Sequence, residues 1–262
     1  MSFNIRNSAA GDGVHSWENR RKLAFDIFHA CDPDLVGFQE VLADQLDDIR
    51  THAAGYGLIG AARDDGLHSG ERALIAYRRA RFSLIDSGDF WLAESDDQPR
   101  LGWDASHIRI CSWARLIDRN AGLPLLFANT HWDHQGIVAR RMSALLMRRR
   151  LSELFKGAAV IVTGDFNSHE TDEWVQTMLE QHAESIALAD SYRQVHPVRQ
   201  PDELTDHHFT GETKGMRIDY ILHSPGFRSL DARIVRTRGA NGEYATDHYP
   251  VLSRLDWNKG AR

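Results

Sequence analysis

The chain is short of several things that would place it quickly. It has two cysteines in 262 residues, Cys31 and Cys111, far apart and in no CxxC pair. That excludes a disulfide framework and a zinc-ribbon pattern, and both read as reduced core residues. It has no long hydrophobic run: the longest, Ala158 to Val162, falls far below the roughly 18–20 residues of a spanning helix. No basic n-region or apolar h-region precedes Ser2-Phe3-Asn4, so no secretion signal is visible and a cytoplasmic location is the default expectation. It also has no basic surplus, with 31 Lys+Arg against 37 Asp+Glu and a formal net charge of −6. A protein that grips nucleic acid by broad phosphate neutralisation carries the opposite balance, so any such contact here is expected to be local and metal-centred.

What is present is ordinary for a globular protein: 42% hydrophobic and 26% charged residues, which excludes disordered and collagenous classes. No Pro/Gly/Ser-rich linker or charge block divides the chain, so residues 1–262 are expected to form one domain. Short β-type runs alternate with helical patterns, the mark of an α/β protein. Strands are expected at Phe3–Arg6, Leu35–Gln39, Ala73–Tyr77, around Leu116–Ile117, and at Leu125–Asn129, Val160–Thr163, Arg217–Leu222 and Pro250–Leu255. Helices are expected at Trp17–Ala30, where Leu23/Ile27 and Ala24/Phe28 repeat at i, i+4, and at Val138–Phe155. The second carries five arginines over an apolar side, which reads as a solvated face.

The chemistry lies where these strands stop. Phe3 leads to Asn4, Phe38 to Gln39-Glu40, Phe127-Ala128 to Asn129-Thr130-His131-Trp132-Asp133-His134, and Val162-Thr163-Gly164 to Asp165-Phe166-Asn167. Later come Arg217-Ile218-Asp219-Tyr220 and Thr246-Asp247-His248-Tyr249. Polar groups at the ends of buried strands converge at one rim of a sheet. Hard oxygens gathered there suit Mg²⁺ or Mn²⁺, which keeps waters for a substrate phosphate. The run His131-Trp132-Asp133-His134 also resembles the second half of the HxHxDH motif of metallo-β-lactamase-like hydrolases, which would imply zinc, a reading weakened because the first histidine of that motif would fall at Asn129.

Taken together, FNIR, FQE, NTHWDH, GDFN, RIDYIL and TDHYP resemble the endonuclease/exonuclease/phosphatase superfamily across essentially the whole chain. The resemblance implies a four-layer α/β sandwich of two mixed β-sheets packed face to face and flanked by helices. It implies that Glu40 binds the metal, with Asn4 and Asp247 lining or completing the site. Asp165 is expected to orient the attacking water and Asn167 to steady the phosphoryl oxygens. His248 is the expected catalytic histidine supported by Asp219, and His131 donates to the phosphate. The physics agrees, because a phosphoester transition state gathers charge on its oxygens and calls for a metal, an amide and imidazole donors around it. Three further residues are candidates near the site: Arg109, pairing with a substrate phosphate or, the favoured alternative, with one of the clustered acids, Trp132 as a pocket wall, and His207 in a long loop. The function expected is divalent-metal-dependent hydrolysis of a phosphoester in a small-molecule or lipid-headgroup substrate. A nuclease is the alternative, and a binding module without catalysis the remaining one.

Overall fold

The computed structural model describes residues 1–155, 157–180 and 186–258. Two six-stranded mixed sheets face each other. The first is built from β1 (Ser2–Asn4), β2 (Leu35–Val41), β3 (Tyr56–Ile59), β4 (Arg72–Arg78), β11 (Phe227–Ile234) and β12 (Val251–Trp257), in the order β11-β12-β1-β2-β4-β3. The second uses β5 (Phe82–Trp91), β6 (Ile110–Asp118), β7 (Leu123–His131), β8 (Ala159–Asp165), β9 (Ala189–Asp190) and β10 (Asp219–His223), in the order β5-β6-β7-β8-β10-β9. Helices α1 (Trp17–Cys31) and α2 (Ala43–His52) cover the first sheet. Helices α3 (Ile137–Phe155) and α4 (Glu173–Leu179) cover the second, and α5 (Ser191–Val195) follows β9. The expected four-layer sandwich is therefore observed.

Among the described residues, three large apolar clusters and a smaller one around Ala73, Trp91 and Ile110 hold the layers together. Phe3, Val36 and Phe38 point out of the first sheet onto Phe25, Ile27 and Phe28 of α1. Leu126, Val160 and Val162 point out of the second onto Ala144, Met147 and Leu151 of α3. The alternate residues Leu116, Leu125, Phe127 and Ile161 meet Ile75 and Tyr77 between the sheets. Each such side chain contributes about 1.5–3 kcal/mol on burial, and the strict alternation along β2, β7 and β8 fixes the register. Helix α1 ends where Asp32 turns left-handed (φ 43°) ahead of Pro33.

Toward one rim the space between the sheets turns polar. Asn129 of β7 donates to the carbonyls of Phe38 and Leu74 in the opposite sheet, and its oxygen accepts from Gln39 and Thr163. Gly37 makes room for this knot: a Cβ there would lie 2.1 Å from Thr163 Oγ1 and 2.3 Å from Asn129 Oδ1. Asn129 is thus a tie between the sheets and not a vacant zinc position.

The arginines of α3 are not one solvated face, which corrects the expectation. Arg148 is buried and donates to the carbonyls of Thr177 and Met178 at the end of α4. Arg140 bonds the Asp133 carbonyl and lies over the Trp174 ring, while Arg149 and Arg150 meet Asp96 in the preceding long loop. They fasten neighbouring segments to the helix.

Candidate active site

Both parallel pairs, β1 with β2 and β7 with β8, end at the same rim. Chain direction alone therefore delivers Asn4, Glu40, His131 and Asp165 to one place, as expected at the carboxyl ends of parallel strands. Asp219 opens β10 directly opposite Asp165 in an antiparallel ladder. Two carboxylates facing each other across strands are unfavourable for folding, so their pairing marks a functional arrangement.

Three residues at this rim adopt left-handed backbone that L side chains avoid: Arg6 (φ 55°), Glu40 (φ 65°) and Asn167 (φ 48°). At Glu40 the cause is visible, because the β2–β4 register slips between Phe38 and Val41. The bulge turns the Glu40 side chain to the rim. There Oε1 accepts from Asn4 Nδ2 at 3.0 Å, and Oε2 accepts from the backbone N–H and the amide of Asn7. Burial would push this carboxyl up, but the Asn7 and Asn4 donors outweigh it and hold it below its ordinary range.

Asp165 Oδ2 accepts from the second Asn4 N–H at 3.0 Å and lies 3.5 Å from His131 Nε2 and 3.8 Å from His248 Nε2. Its other oxygen accepts from the Asn167 N–H. His248 Nδ1 lies 2.9 Å from Asp219 Oδ2. Burial disfavours the charged imidazole, yet Asp219, Asp165 and Asp247 override it and raise the His248 pKa well above the ordinary value. Burial and the Asp219 charge push Asp165 up in turn. His131 goes the other way: burial, then Arg109 and Arg63, drive its pKa well down, so it is neutral. The rim thus holds one histidine made basic and one kept neutral.

The structure refines several sequence expectations. Asn4 bridges the sheets, its N–H groups on Glu40 and Asp165 and its oxygen accepting from the Arg6 N–H, so it lines the site and positions both carboxylates. Asn167 reaches the rim and spends one amide N–H on the Trp132 carbonyl. The Trp132 indole is fully buried, stacked on Phe166 at 4.2 Å with its N–H on Met147 Sδ, and cannot wall a substrate pocket. Its backbone, not its ring, serves the site. His207 is enclosed by the rings of Tyr249 and Tyr244 (4.0 and 4.6 Å), burial lowers its pKa to about 4, and its side chain is closed off from solvent. Arg109 is buried against Asp133, with Nε 3.4 Å from its carboxylate and Nη2 3.2 Å from His134 Nδ1. The acid pairing holds, and the guanidinium is not open as a bidentate phosphate clamp.

Other residues went unnoticed in the sequence. Asn7 clamps Glu40 and donates to Glu71, whose carboxylate also meets Arg63 and lies 4.0 Å from His131 Nδ1. Asp206 Oδ1 lies 3.8 Å from His248 Nε2. A signal for Asp206 was available, since Thr205-Asp206-His207 repeats Thr246-Asp247-His248. The two tripeptides run antiparallel, with an Asp206–His248 bridge and a Tyr249 N–H to Thr205 carbonyl bond.

The donor set fits a divalent cation. Glu40 and Asp247 offer hard oxygens, and the buried Asp206 Oδ1 and Asp219 Oδ1 lack hydrogen-bond partners among the described residues. Ligand atoms of Asp165, Asp219 and His248, and of Asp206, His208 and Asp247, gather within 4.8 Å in each group. Burial also raises Asp247 and Glu71, so the rim holds more acid than it can ionise unaided. A cation would relieve that.

Asp133, buried beside this rim, supplies a pH test. Burial raises its carboxyl, but N–H donors led by Gly136, together with Arg109, reverse the shift and hold it well below the carboxylate range. A depressed native pKa stabilises the fold above the unfolded value of about 4 and is lost as pH falls through the native one. Thermal unfolding of Asp133→Asn is therefore expected to lie below wild type near neutral pH, with the gap closing in acid. A gap that is constant with pH would contradict the assignment.

The sequence model of the Endonuclease/Exonuclease/phosphatase family matches residues 1–248. Among solved structures, a mannosyl-6-phosphatase of Bacteroides thetaiotaomicron VPI-5482 is 33% identical over 98% of both chains, with a TM-score of 0.90. An endonuclease/exonuclease/phosphatase of Bacteroides vulgatus is 32% identical over 98% of this chain and 97% of that one, with a TM-score of 0.89. The catalytic domain of human Nocturnin, 19% identical over 97% of this chain and 92% of that one with a TM-score of 0.78, shares the fold. Two curated proteins of Acanthamoeba polyphaga mimivirus, named only as uncharacterized, are 24% and 20% identical over 60% and 95% of this chain, which spans 61% and 44% of their lengths. Proteins of this kind are generally metal-dependent hydrolases of phosphoesters. With the family pattern matched over residues 1–248 and identity above 30% carried across nearly the whole chain, this protein belongs to the endonuclease/exonuclease/phosphatase family.

Proposed function

We propose that the protein is a divalent-metal-dependent phosphoesterase of small phosphorylated molecules, acting through one catalytic domain, with sugar phosphates as its substrate class. The observation that carries the reading is the Asp165–His248–Asp219 constellation facing neutral His131. Asp165 Oδ2, already between two imidazoles, holds the attacking water and takes its proton, for which a raised carboxyl is suited. His248, kept as imidazolium by Asp219, presents Nε2–H to the phosphoryl oxygens. His131 adds a neutral donor, and Asn167, anchored on the Trp132 carbonyl, adds an amide. A cation held by Glu40 and Asp247, Mg²⁺ or Mn²⁺, would polarise the phosphoryl group and offset its charge. The sugar-phosphate choice rests on the mannosyl-6-phosphatase at 33% identity over 98% of both chains. It also suits a chain with a net charge of −6, which lacks a broad grip for nucleic acid.

The test is hydrolysis of mannose 6-phosphate, p-nitrophenyl phosphate, bis-p-nitrophenyl phosphate, a phospholipid headgroup ester and plasmid DNA, each with Mg²⁺ and with Mn²⁺. Turnover of the sugar phosphate that EDTA abolishes and added metal restores is expected. Plasmid cleavage without sugar-phosphate hydrolysis would replace the proposal by the nuclease reading, and inertness toward all five would overturn catalysis.

A further inference from the structure

Beside the catalytic rim, the loops of residues 92–109 and 131–137 are tied together by hydrogen bonds to two aspartates, Asp104 and Asp133. Asp104 caps the start of α3 through the N–H groups of Val138 and Ala139 (3.2 and 2.6 Å), and a Cβ on Gly136 would lie 2.6 Å from Asp104 Oδ1. Asp133 Oδ1 accepts from the N–H groups of Gln135 and Gly136, and Oδ2 accepts from Ser106 Oγ, His107 N and Arg109 Nε. This frame displays two exposed imidazoles, His107 and His134, with ring centroids 5.4 Å apart and planes at 38°.

The frame also fixes their tautomers. A guanidinium only donates, so Arg109 Nη2 at 3.2 Å makes His134 Nδ1 the acceptor and leaves the proton on Nε2. Ser106 gives its single hydroxyl proton to the Asp133 carboxylate at 2.9 Å, so the 2.9 Å contact between Ser106 Oγ and His107 Nδ1 requires His107 to donate. His107 Nε2 is then an acceptor. Burial and Arg109 lower the pKa of both rings, which keeps them neutral. One ring therefore keeps a donor and the other an acceptor, on rings whose centroids are 5.4 Å apart. That pair matches a hydroxyl group, which both accepts and donates. It does not suit a metal, because Asp133 is saturated and a guanidinium occupies His134 Nδ1.

The pair adjoins the reacting centre. His134 follows His131 by three residues, in the loop that leaves the end of β7. Arg109 spans the gap: it contacts His134 on one side, and on the other it lines a cavity of about 10 Å³ shared with Glu40, Glu71 and His131. Its Nη1 is buried without a hydrogen-bond partner among the described residues, and the cavity is about the size of one water.

We propose that His107 and His134 are a hydroxyl-reading pair that binds the polyhydroxylated leaving group of the substrate, an inference that rests on the phosphoesterase reading above. A phosphate ester lacking such a hydroxyl leaves the pair without a partner. Loss of one hydrogen bond to a positioned hydroxyl corresponds to about a tenfold change in selectivity. The kinetic experiment compares mannose 6-phosphate with p-nitrophenyl phosphate. The ratio of their kcat/KM values is expected to fall about tenfold in His107→Ala and in His134→Ala, with the effect mainly on KM. An unchanged ratio would overturn the proposal. In parallel, nitrogen NMR of the full-length protein reads the rings directly: Nδ1–H is expected for His107, Nε2–H for His134, and D-mannose should shift both. Reversed tautomers, or no response to mannose, would overturn the pair even in a protein that hydrolyses both esters. Absence of hydrolysis with intact tautomers and a mannose response would instead sink the phosphoesterase reading alone.

Discussion

Asp165→Asn is expected to lower kcat/KM by about 10²–10⁴-fold, the range for losing a positioned acid or base. The substitution keeps the side chain's size and its backbone bond to Asn167 but removes the charge that faces His131 and His248. A purely structural role would predict a less stable protein. The geometry predicts little loss, because Asp165 and Asp219 face each other across the β8–β10 ladder and relief of their repulsion offsets the Asn4 N–H left facing an amide nitrogen. The thermal midpoint of the metal-free variant should stay close to that of wild type. Turnover within threefold of wild type, or a clear fall in midpoint with activity retained, would show that Asp165 has been misassigned.

Asp219→Asn is expected to cost a similar amount, about 10²–10⁴-fold at neutral pH, by a different route. Asp219 Oδ2 receives the His248 Nδ1–H at 2.9 Å and is the leading influence that raises the imidazole above its ordinary value. Without that charge the His248 pKa falls, and an amide nitrogen turned toward Nδ1 selects the wrong tautomer. The sign follows directly: if the imidazolium is the working form, the variant loses most at neutral pH and recovers toward acid, so its pH–rate profile shifts to lower pH. A profile that drops uniformly without moving would mean that Asp219 acts through folding alone.

The pattern of what could be read in advance has a physical cause. Interior strands such as β2, β7 and β8 bury both faces, so Leu35–Val41 and Ala159–Asp165 announce themselves as apolar runs. The four strands that were not anticipated, β3, β5, β9 and β11, are the edges of the two sheets. In β5 the middle residues are exposed, and in β11 buried and exposed positions alternate irregularly. An edge strand has one neighbour and little to bury, and it forms because the adjacent strand supplies its hydrogen bonds. No local pattern encodes that.

The site divides along the same line. Asn4, Glu40, Asp165, Asp219, Asp247 and His248 were legible because each ends or opens a recognisable strand or closes a distinctive run. Glu71, Asn7 and Asp206 were not, because their meaning arises only where a loop meets a residue far away in sequence, as when Asn7 grips Glu40. Trp132 and His207 show the limit from the other side. Their types suggested substrate contact, but burial gave them partners inside the protein: Met147 and two tyrosine rings. For Arg109 the pairing with an acid, the favoured alternative, is the one observed.

What the sequence determined by itself was the inventory: an α/β chain, acid-rich, with amides, carboxylates and imidazoles delivered to the ends of buried strands. The tertiary structure decided the state of each group. His131 and His248 are the same side chain, yet burial beside Arg109 and Arg63 keeps one neutral, and three carboxylates make the other basic. His107 and His134 likewise become acceptor and donor only because Ser106 and Arg109 reach them. Protonation in a buried site is set by the summed field and hydrogen bonds of neighbours drawn from distant parts of the chain, and those neighbours are fixed only when the sheets close.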